Sequence, residues 1–517
     1  MRPLTTWAAA LLAATLVLAG CTSGGGDAAP SSTATASPST TPTPSRPGPF
    51  RRPAKPVTPA GPAEIPSQAW HITAEARVPF GIRPRGRQSP AVEGYADHAS
   101  VAPGTPVRLF VSTSAARWRA TAYRMGWYGG DRAASVWHVD WQPGKRQPAV
   151  KTVGSTFTPT APWSPSLTMP TARWRPGSYL IRLEVAGHAR YIPLTVRSPS
   201  TRGRLVLVAP DTTWQAYNDW GGRNLYWGPS GKGDFDHRAR AVSFDRPYAY
   251  GNGASEFVGR MLPVVALAEK LKLPLAYVDD IDLERDPHLL DGARGIVSMG
   301  HDEYYSPTMR RSLERARDAG TNLGFLGANA VYRRIRLEST SLGSMRLEVN
   351  YKSASDDPLT RTHPDQTTAN WPSSPKADPP SRLIGESYAC FFPGAADLAV
   401  RDPASWLLAG TWLRKGDKLP GALGPEFDAV IPGDPAPSPR DVVLRSPMKC
   451  GGFTHSDATY YTTRSGAGVF DSGTMGWVKG LSGLDGKRTQ RLERQITTNL
   501  LQAFAAGPAG RTHPAGR

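Results

Sequence analysis

Apolar and polar positions fall in blocks along this chain, and the block from Gly295 to Asn329 is the most telling. Gly295-Ile296-Val297-Ser298-Met299 is an apolar run of strand length, followed at once by Gly300-His301-Asp302-Glu303-Tyr304-Tyr305. Such a run predicts a buried strand, with the polar cluster as its exposed tip. Ser306 then stands as an N-cap with Pro307 at the first helical position. Met309, Leu313 and Ala316 recur at helical spacing, and Gly320 sits where a helix-ending glycine belongs. Asn322-Leu323-Gly324-Phe325-Leu326 returns as a strand and ends in Gly327-Ala328-Asn329. The pattern is a βαβ unit. In parallel sheets ligands sit beyond the carboxyl ends of the strands, so the His301/Glu303 turn and the Asn329 turn are expected to open onto one crevice.

The same reading extends along the chain. From residue 22 to 64 there is Ser, Thr, Pro, Gly and Ala with almost no apolar bulk, which predicts a disordered tether. Residues 65–200 show short alternating runs, among them Val107 to Val111 and the set Tyr179, Ile181, Leu183, Val185, and these predict a β-sandwich. Within it, Tyr123-Arg124-Met125-Gly126-Trp127-Tyr128-Gly129-Gly130 is either an aromatic platform for a sugar or, as we favour, a turn packing Trp127 and Tyr128 on the neighbouring domain. Leu205 to Ala209 then starts an α/β pattern running to residue 508, and 509–517 reads as a disordered tail. Within that pattern Ser255 is expected to cap a helix interrupted by Pro263, and Leu492, Ile496, Leu500 and Phe504 share one face of a last helix.

Charge and cysteines narrow the class. The 517-residue chain has a formal net charge of +18, but its Lys and Arg are dispersed and no nucleic-acid-binding motif occurs, so nucleic acid is not the expected partner. Arg2 precedes an apolar stretch from Trp7 to Leu18 that is closed by Leu18-Ala19-Gly20-Cys21. This resembles a bacterial lipobox, which implies a signal peptide over residues 1–21, a lipid on Cys21, and anchoring to the outer face of the cytoplasmic membrane. Of the two remaining cysteines, Cys390 and Cys450, a bridged pair is expected outside the cell, and no zinc spacing is present. Assembly into homo-oligomers is compatible with the sequence.

The chemistry concentrates at strand tips. A His-x-Glu pair on a turn suits either one metal ligand plus a proton carrier, or a general acid/base pair. The turn carries no Ser or Cys elbow, which argues against covalent catalysis. His455 and Asp457 form another polar pair, read as structural, and Tyr460 and Tyr461 as core.

Several ordered segments together carry a resemblance. Trp214-Gln215-Ala216-Tyr217-Asn218, Ser243-Phe244-Asp245-Arg246-Pro247-Tyr248, Gly300-His301-Asp302-Glu303-Tyr304, Gly327-Ala328-Asn329, Gly424-Pro425-Glu426-Phe427-Asp428 and Ala458-Thr459-Tyr460-Tyr461 resemble the large (β) subunit of N,N-dimethylformamidase and its relatives. The resemblance implies an N-terminal β-sandwich followed by an amidotransferase-like α/β domain with a mostly parallel sheet. It also implies a mononuclear ferric iron held by two tyrosines and a glutamate. Carried over by position, the ligands are Tyr217, Tyr248 (with Tyr250 in reserve) and Glu303, while His301, Asn329 and Glu426 match the catalytic polar residues. The expected activity is hydrolysis of the C–N bond of a small amide substrate by a surface-anchored enzyme. The rival expectation is a non-catalytic module binding glycan or wall polymer through the sandwich.

Overall fold

The computed structural model describes residues 91–516 apart from 374 and 483–486. The signal-peptide segment with Cys21, the 22–64 tether and the first part of the 65–200 region lie outside the described residues. The fold is mixed α/β with more strand than helix.

The N-terminal strands form two sheets. Val92–Ala96, Val107–Thr113 and Leu167–Met169 make one, and Ser100–Val101, His188–Val196, Gly177–Val185, Arg117–Tyr128 and Asp131–Pro143 make the other. Because side chains alternate across a strand, Gly177–Val185 serves two cores. Tyr179, Ile181, Leu183 and Val185 face the first sheet with Val92, Leu109 and Trp118. Leu180 points the other way, with Met125, Ala133 and Tyr191, into the core shared with Met261 and Val265 of the following α/β region. The outer face of this sheet is therefore an internal interface, and all described residues belong to one compact unit, Val57–Arg517.

Gly126 marks the closest approach at that interface. A Cβ there would lie 1.9 Å from Oε2 of Glu269, so only glycine admits the carboxylate. Glu269 accepts the Trp127 backbone N–H at 2.8 Å, pairs with Arg124 at 2.7 Å and accepts the Tyr277 hydroxyl at 2.7 Å. The aromatic segment thus packs on the α/β region, as favoured from the sequence.

The α/β region is built on a seven-stranded sheet ordered Leu275–Asp279, Leu205–Ala209, Gly295–Gly300, Asn322–Gly327, Gly468–Asp471, Phe453–Thr462, Arg440–Cys450. The first five run parallel, and Phe453–Thr462 pairs antiparallel with both Gly468–Asp471 and Arg440–Cys450. Parallel strands read as continuous apolar runs because both faces are covered. Leu205, Leu207 and Ala209 face one layer, whereas Val206 and Val208 face the other. The first layer contains Leu262–Lys270 and Lys487–Ala506; the second contains Pro307–Asp318, which buries Met309, Leu313 and Ala316. Ser306 caps that last helix by accepting the Met309 N–H at 3.1 Å, and Gly320 follows it with φ +102°.

Two expectations are corrected here. Ser255 caps no helix: it has φ +52°, a π-turn at Phe257–Met261 intervenes, and Pro263 sits in the first turn of Leu262–Lys270, where its missing N–H has no helical role. The 509–517 tail is not loose over its described part. Ala509 and Ala515 are buried, the His513 ring stacks on Trp406 at 4.4 Å, and the His513 carbonyl accepts the Tyr460 hydroxyl at 2.8 Å. Cys390 and Cys450 are joined in a disulfide with a Cα–Cα distance of 6.0 Å.

Candidate active site

Tyr217, His301, Glu303 and Asn329 are delivered by segments that follow the carboxyl ends of parallel strands, whereas Glu426 opens the strand Glu426–Ala429 of a separate two-stranded sheet and Tyr226 comes from the loop after Tyr217. Leu205–Ala209 leads through Pro210 into the helix Asp211–Tyr217, whose last residue is Tyr217. Gly295–Gly300 ends in a left-handed glycine, φ +81°, where a Cβ would meet the Arg260 Cβ at 2.5 Å. His301, Asp302 and Glu303 follow directly. They are not an exposed tip: His301 and Glu303 are fully buried, because the loop after Tyr217, the Asn329–Arg333 segment and the strand Glu426–Ala429 close over them.

Glu303 is the hub. Its Oε2 accepts the Tyr217 hydroxyl at 2.6 Å, its Oε1 accepts the Tyr226 hydroxyl at 2.9 Å, and Arg333 Nε lies 3.0 Å from Oε1. The two phenol oxygens are 2.8 Å apart and their rings stack with centroids at 4.7 Å. His301 Nε2 stands between two carboxylates, 3.4 Å from Glu303 and 3.6 Å from Glu426. Asn329, with φ +58°, donates its side-chain amide to Glu426 Oε2 at 3.1 Å. Its backbone N–H is held by both oxygens of Asp428, at 2.8 and 3.1 Å. The Oδ1 of Asn329 is buried with no protein hydrogen bond.

Burial and neighbouring charge shift the titration of these groups in different directions. Burial alone would raise the Glu303 carboxyl, but the His301 hydrogen bond and the Arg333 charge outweigh it and hold the group well below the usual carboxylate range. For His301 burial works the other way and is outweighed by Glu303 and Glu426, so the imidazole pKa rises. Glu426 is pushed up, by burial first, against the pull of His301. The phenols of Tyr217 and Tyr226 are both raised by burial and then by the Glu303 charge. Lys352 lies 3.4 Å above the Tyr226 ring and donates to the Tyr304 hydroxyl at 2.7 Å.

Of the residues expected from the sequence, Tyr217, His301, Glu303, Asn329 and Glu426 come together. Tyr248 does not join them as a partner of Glu303. It is set beside Asp211 and Asp280, which after burial are the charges that raise its phenol, and the hydroxyl of Tyr250 bonds Asp219. The second phenol that meets Glu303 is instead that of Tyr226. It lies in a loop without periodicity, folded back by Asn224, whose Oδ1 accepts the N–H groups of Tyr226 and Trp227, both at 2.8 Å. That asparagine turn, Asn224 to Trp227, was the one sequence signal for it. Arg333, Lys352 and Asp428 were also missed. Asp457 receives Arg445 at 2.6 and 3.1 Å and the Val430 N–H at 2.9 Å, while His455 stands 3.3 Å away. That pair is spent on holding strands together.

Among the described residues no three His, Cys, Asp or Glu side chains form a metal-binding group, and the oxygens that meet on Glu303 are the phenols of Tyr217 and Tyr226. The donors that converge, Tyr217, Tyr226 and Glu303, are hard oxygens able to carry three negative charges, which fits a trivalent hard metal. Among the described residues no helix is long and apolar enough to cross a membrane.

A search of the curated proteins found no match. The family model described as N,N-dimethylformamidase beta subunit-like, C-terminal, matches residues 119–491, from within the strand Arg117–Tyr128 to the last helix. That span is well over half of the 517 residues, and the chain belongs to the N,N-dimethylformamidase beta subunit-like family.

Proposed function

We propose that this protein is a hydrolase cleaving the C–N bond of an amide at the Glu303 site, with ferric iron held by Tyr217, Tyr226 and Glu303. The family membership supports a dimethylformamidase-like hydrolase. The observation that carries the finer reading is the meeting of two phenol oxygens on one buried carboxylate, at 2.6 and 2.9 Å, beside a second carboxylate and the His301 imidazole. The arrangement of an N-terminal sandwich on an amidotransferase-like α/β domain belongs to the same proposal.

Bound iron would act as a Lewis acid toward an amide carbonyl and would ease the loss of a proton from water. The side chains supply the rest. Glu426, its pKa raised, takes the proton of the attacking water and is oriented for this by the Asn329 amide. His301 keeps its proton and stabilises negative charge developing on the carbonyl oxygen. The same Glu426 carboxyl then returns the proton to the leaving nitrogen. Because the ionised form is the working one, hydrolysis falls as pH drops through the raised Glu426 pKa.

The test is purified full-length protein from iron-replete cells. We expect about one iron per chain, on the three-donor argument, a visible phenolate-to-iron absorption, and hydrolysis of simple amides. Glu426→Gln should keep the colour and lose hydrolysis. Colourless, iron-free protein would overturn the metal reading. For location, we propose lipid anchoring at Cys21 on the outer face of the cytoplasmic membrane, supported by Leu18-Ala19-Gly20-Cys21. Cys21→Ser should release the protein into the soluble fraction or stop its processing.

A further inference from the structure

Trp412 is the most exposed large apolar side chain among the described residues, 92% accessible. It is held with φ +61°, a left-handed conformation that is unfavourable for a non-glycine residue. Its neighbours fix the loop: Leu413 is buried, and Thr411 donates its hydroxyl to the Leu408 carbonyl at 2.6 Å. The indole therefore projects from an anchored loop, and it is flanked on the chain by exposed Arg414 and Lys415.

The loop rests on the last helix. Asn499 donates to the carbonyls of Leu407 and Ala409, both at 2.9 Å, and Gly410 lies against Gln495. Arg488, Arg491 and Gln495 are exposed and, at spacings of three and four, occupy one stripe of Lys487–Ala506. Further along the helix Arg494 approaches Arg132, whose guanidinium pKa is lowered first by burial and then by that repulsion. Arg132 in turn lies 4.4 Å above the half-buried Trp127 ring, and Lys270 lies 4.8 Å from it. One face thus runs from Trp127 along the helix arginines to Trp412. The acids near it are engaged: Asp417 accepts the Arg414 N–H at 2.8 Å, Asp131 offsets Arg132, and Glu493 is buried.

We propose that this face, with Trp412 at one end and the arginines of Lys487–Ala506 at its centre, seats the protein on an anionic lipid bilayer. The charge of the face complements anionic headgroups, as does the +18 net charge of the chain. Charge alone would serve equally for a soluble polyanion. The indole decides between them, because an aromatic ring with one polar edge is stabilised at a lipid–water interface and gains little from a hydrated polymer. The proposal does not depend on the chemistry at Glu303.

The experiment uses the full chain carrying Cys21→Ser, so that no acyl group contributes, sedimented with vesicles of phosphatidylglycerol mixed with phosphatidylcholine. Binding is expected to the mixed vesicles and not to pure phosphatidylcholine, and is expected to weaken at high salt. Trp412→Ala, which leaves the melting temperature unchanged, and the double variant Arg488→Glu/Arg491→Glu should each reduce partitioning about tenfold or more. If Trp412→Ala binds vesicles as tightly as its parent, the proposal fails. It fails equally if the parent binds soluble polyglycerolphosphate as tightly as it binds vesicles.

Discussion

The hydroxyl of Tyr226 meets Oε1 of Glu303 at 2.9 Å, across 77 residues of chain, while Tyr217 takes the other oxygen. This pairing makes Tyr226, and not Tyr248, the second phenol of the proposed iron site. Tyr226→Phe should bleach the visible absorption and lower bound iron, since it removes one anionic donor at nearly constant volume. Tyr248→Phe should leave both unchanged. Loss of colour in the Tyr248 variant alone would reverse the assignment.

The Gly126 contact predicts that the N-terminal sheets are not a separable module. Gly126→Ala would drive a methyl into Glu269 and disturb its bonds to Trp127, Arg124 and Tyr277 together. We expect a loss of about 2 kcal/mol or more in chemical denaturation, as for overpacked buried sites. A fragment of residues 65–200 should be poorly soluble, because Met125, Leu180 and Tyr191 would be bare. A stable, monomeric fragment would contradict this.

Gly300 links the central strand to His301. Gly300→Ala meets both an unfavourable φ of +81° and the Arg260 side chain at 2.5 Å. A destabilisation of roughly 2 kcal/mol is expected, read as a lower melting temperature. An unchanged melting temperature would mean that the turn relaxes without strain.

Asp428 predicts a pH dependence of stability. Burial raises its carboxyl from 3.8 to about 7, with Glu426 adding and the Asn329 N–H and His301 opposing; Asp471 lies alongside. A folded-state pKa above the unfolded one means that this contribution is fully present below 3.8 and is lost as pH rises through about 7. Asp428→Asn has no such titration. The stability of the variant relative to its parent should therefore rise between these limits by up to roughly 4 kcal/mol, measured by urea unfolding across pH. A flat difference would show that the Asp428 carboxyl titrates alike in the folded and unfolded chain.

The disulfide closes a separation of 60 residues between Cys390 and Cys450. Reduction should lower stability by about 4 kcal/mol on the chain-entropy argument. An unfolding midpoint unaffected by reductant would contradict it.

The local pattern of residues was enough for most elements of the central βαβ unit and for four side chains of the site. Strand length, the Ser306 cap and the apolar runs report local preferences, and in a parallel sheet the strand tips gather on one edge, so Tyr217, His301, Glu303 and Asn329 could be placed in one crevice before any coordinates, while Glu426 was expected only through the family resemblance. Three things needed the tertiary structure. Tyr226 sits in an irregular loop, where periodicity says nothing about which tyrosine folds back. The burial of His301 and Glu303 arises from segments distant in sequence that close over the turn, and a polar cluster taken alone looks like surface. The order of the 509–516 tail depends on Trp406 and Tyr460, partners that no neighbouring residue announces. Side-chain identity and spacing determine which elements form, whereas long-range packing decides which polar groups lose water and therefore which of them can carry chemistry.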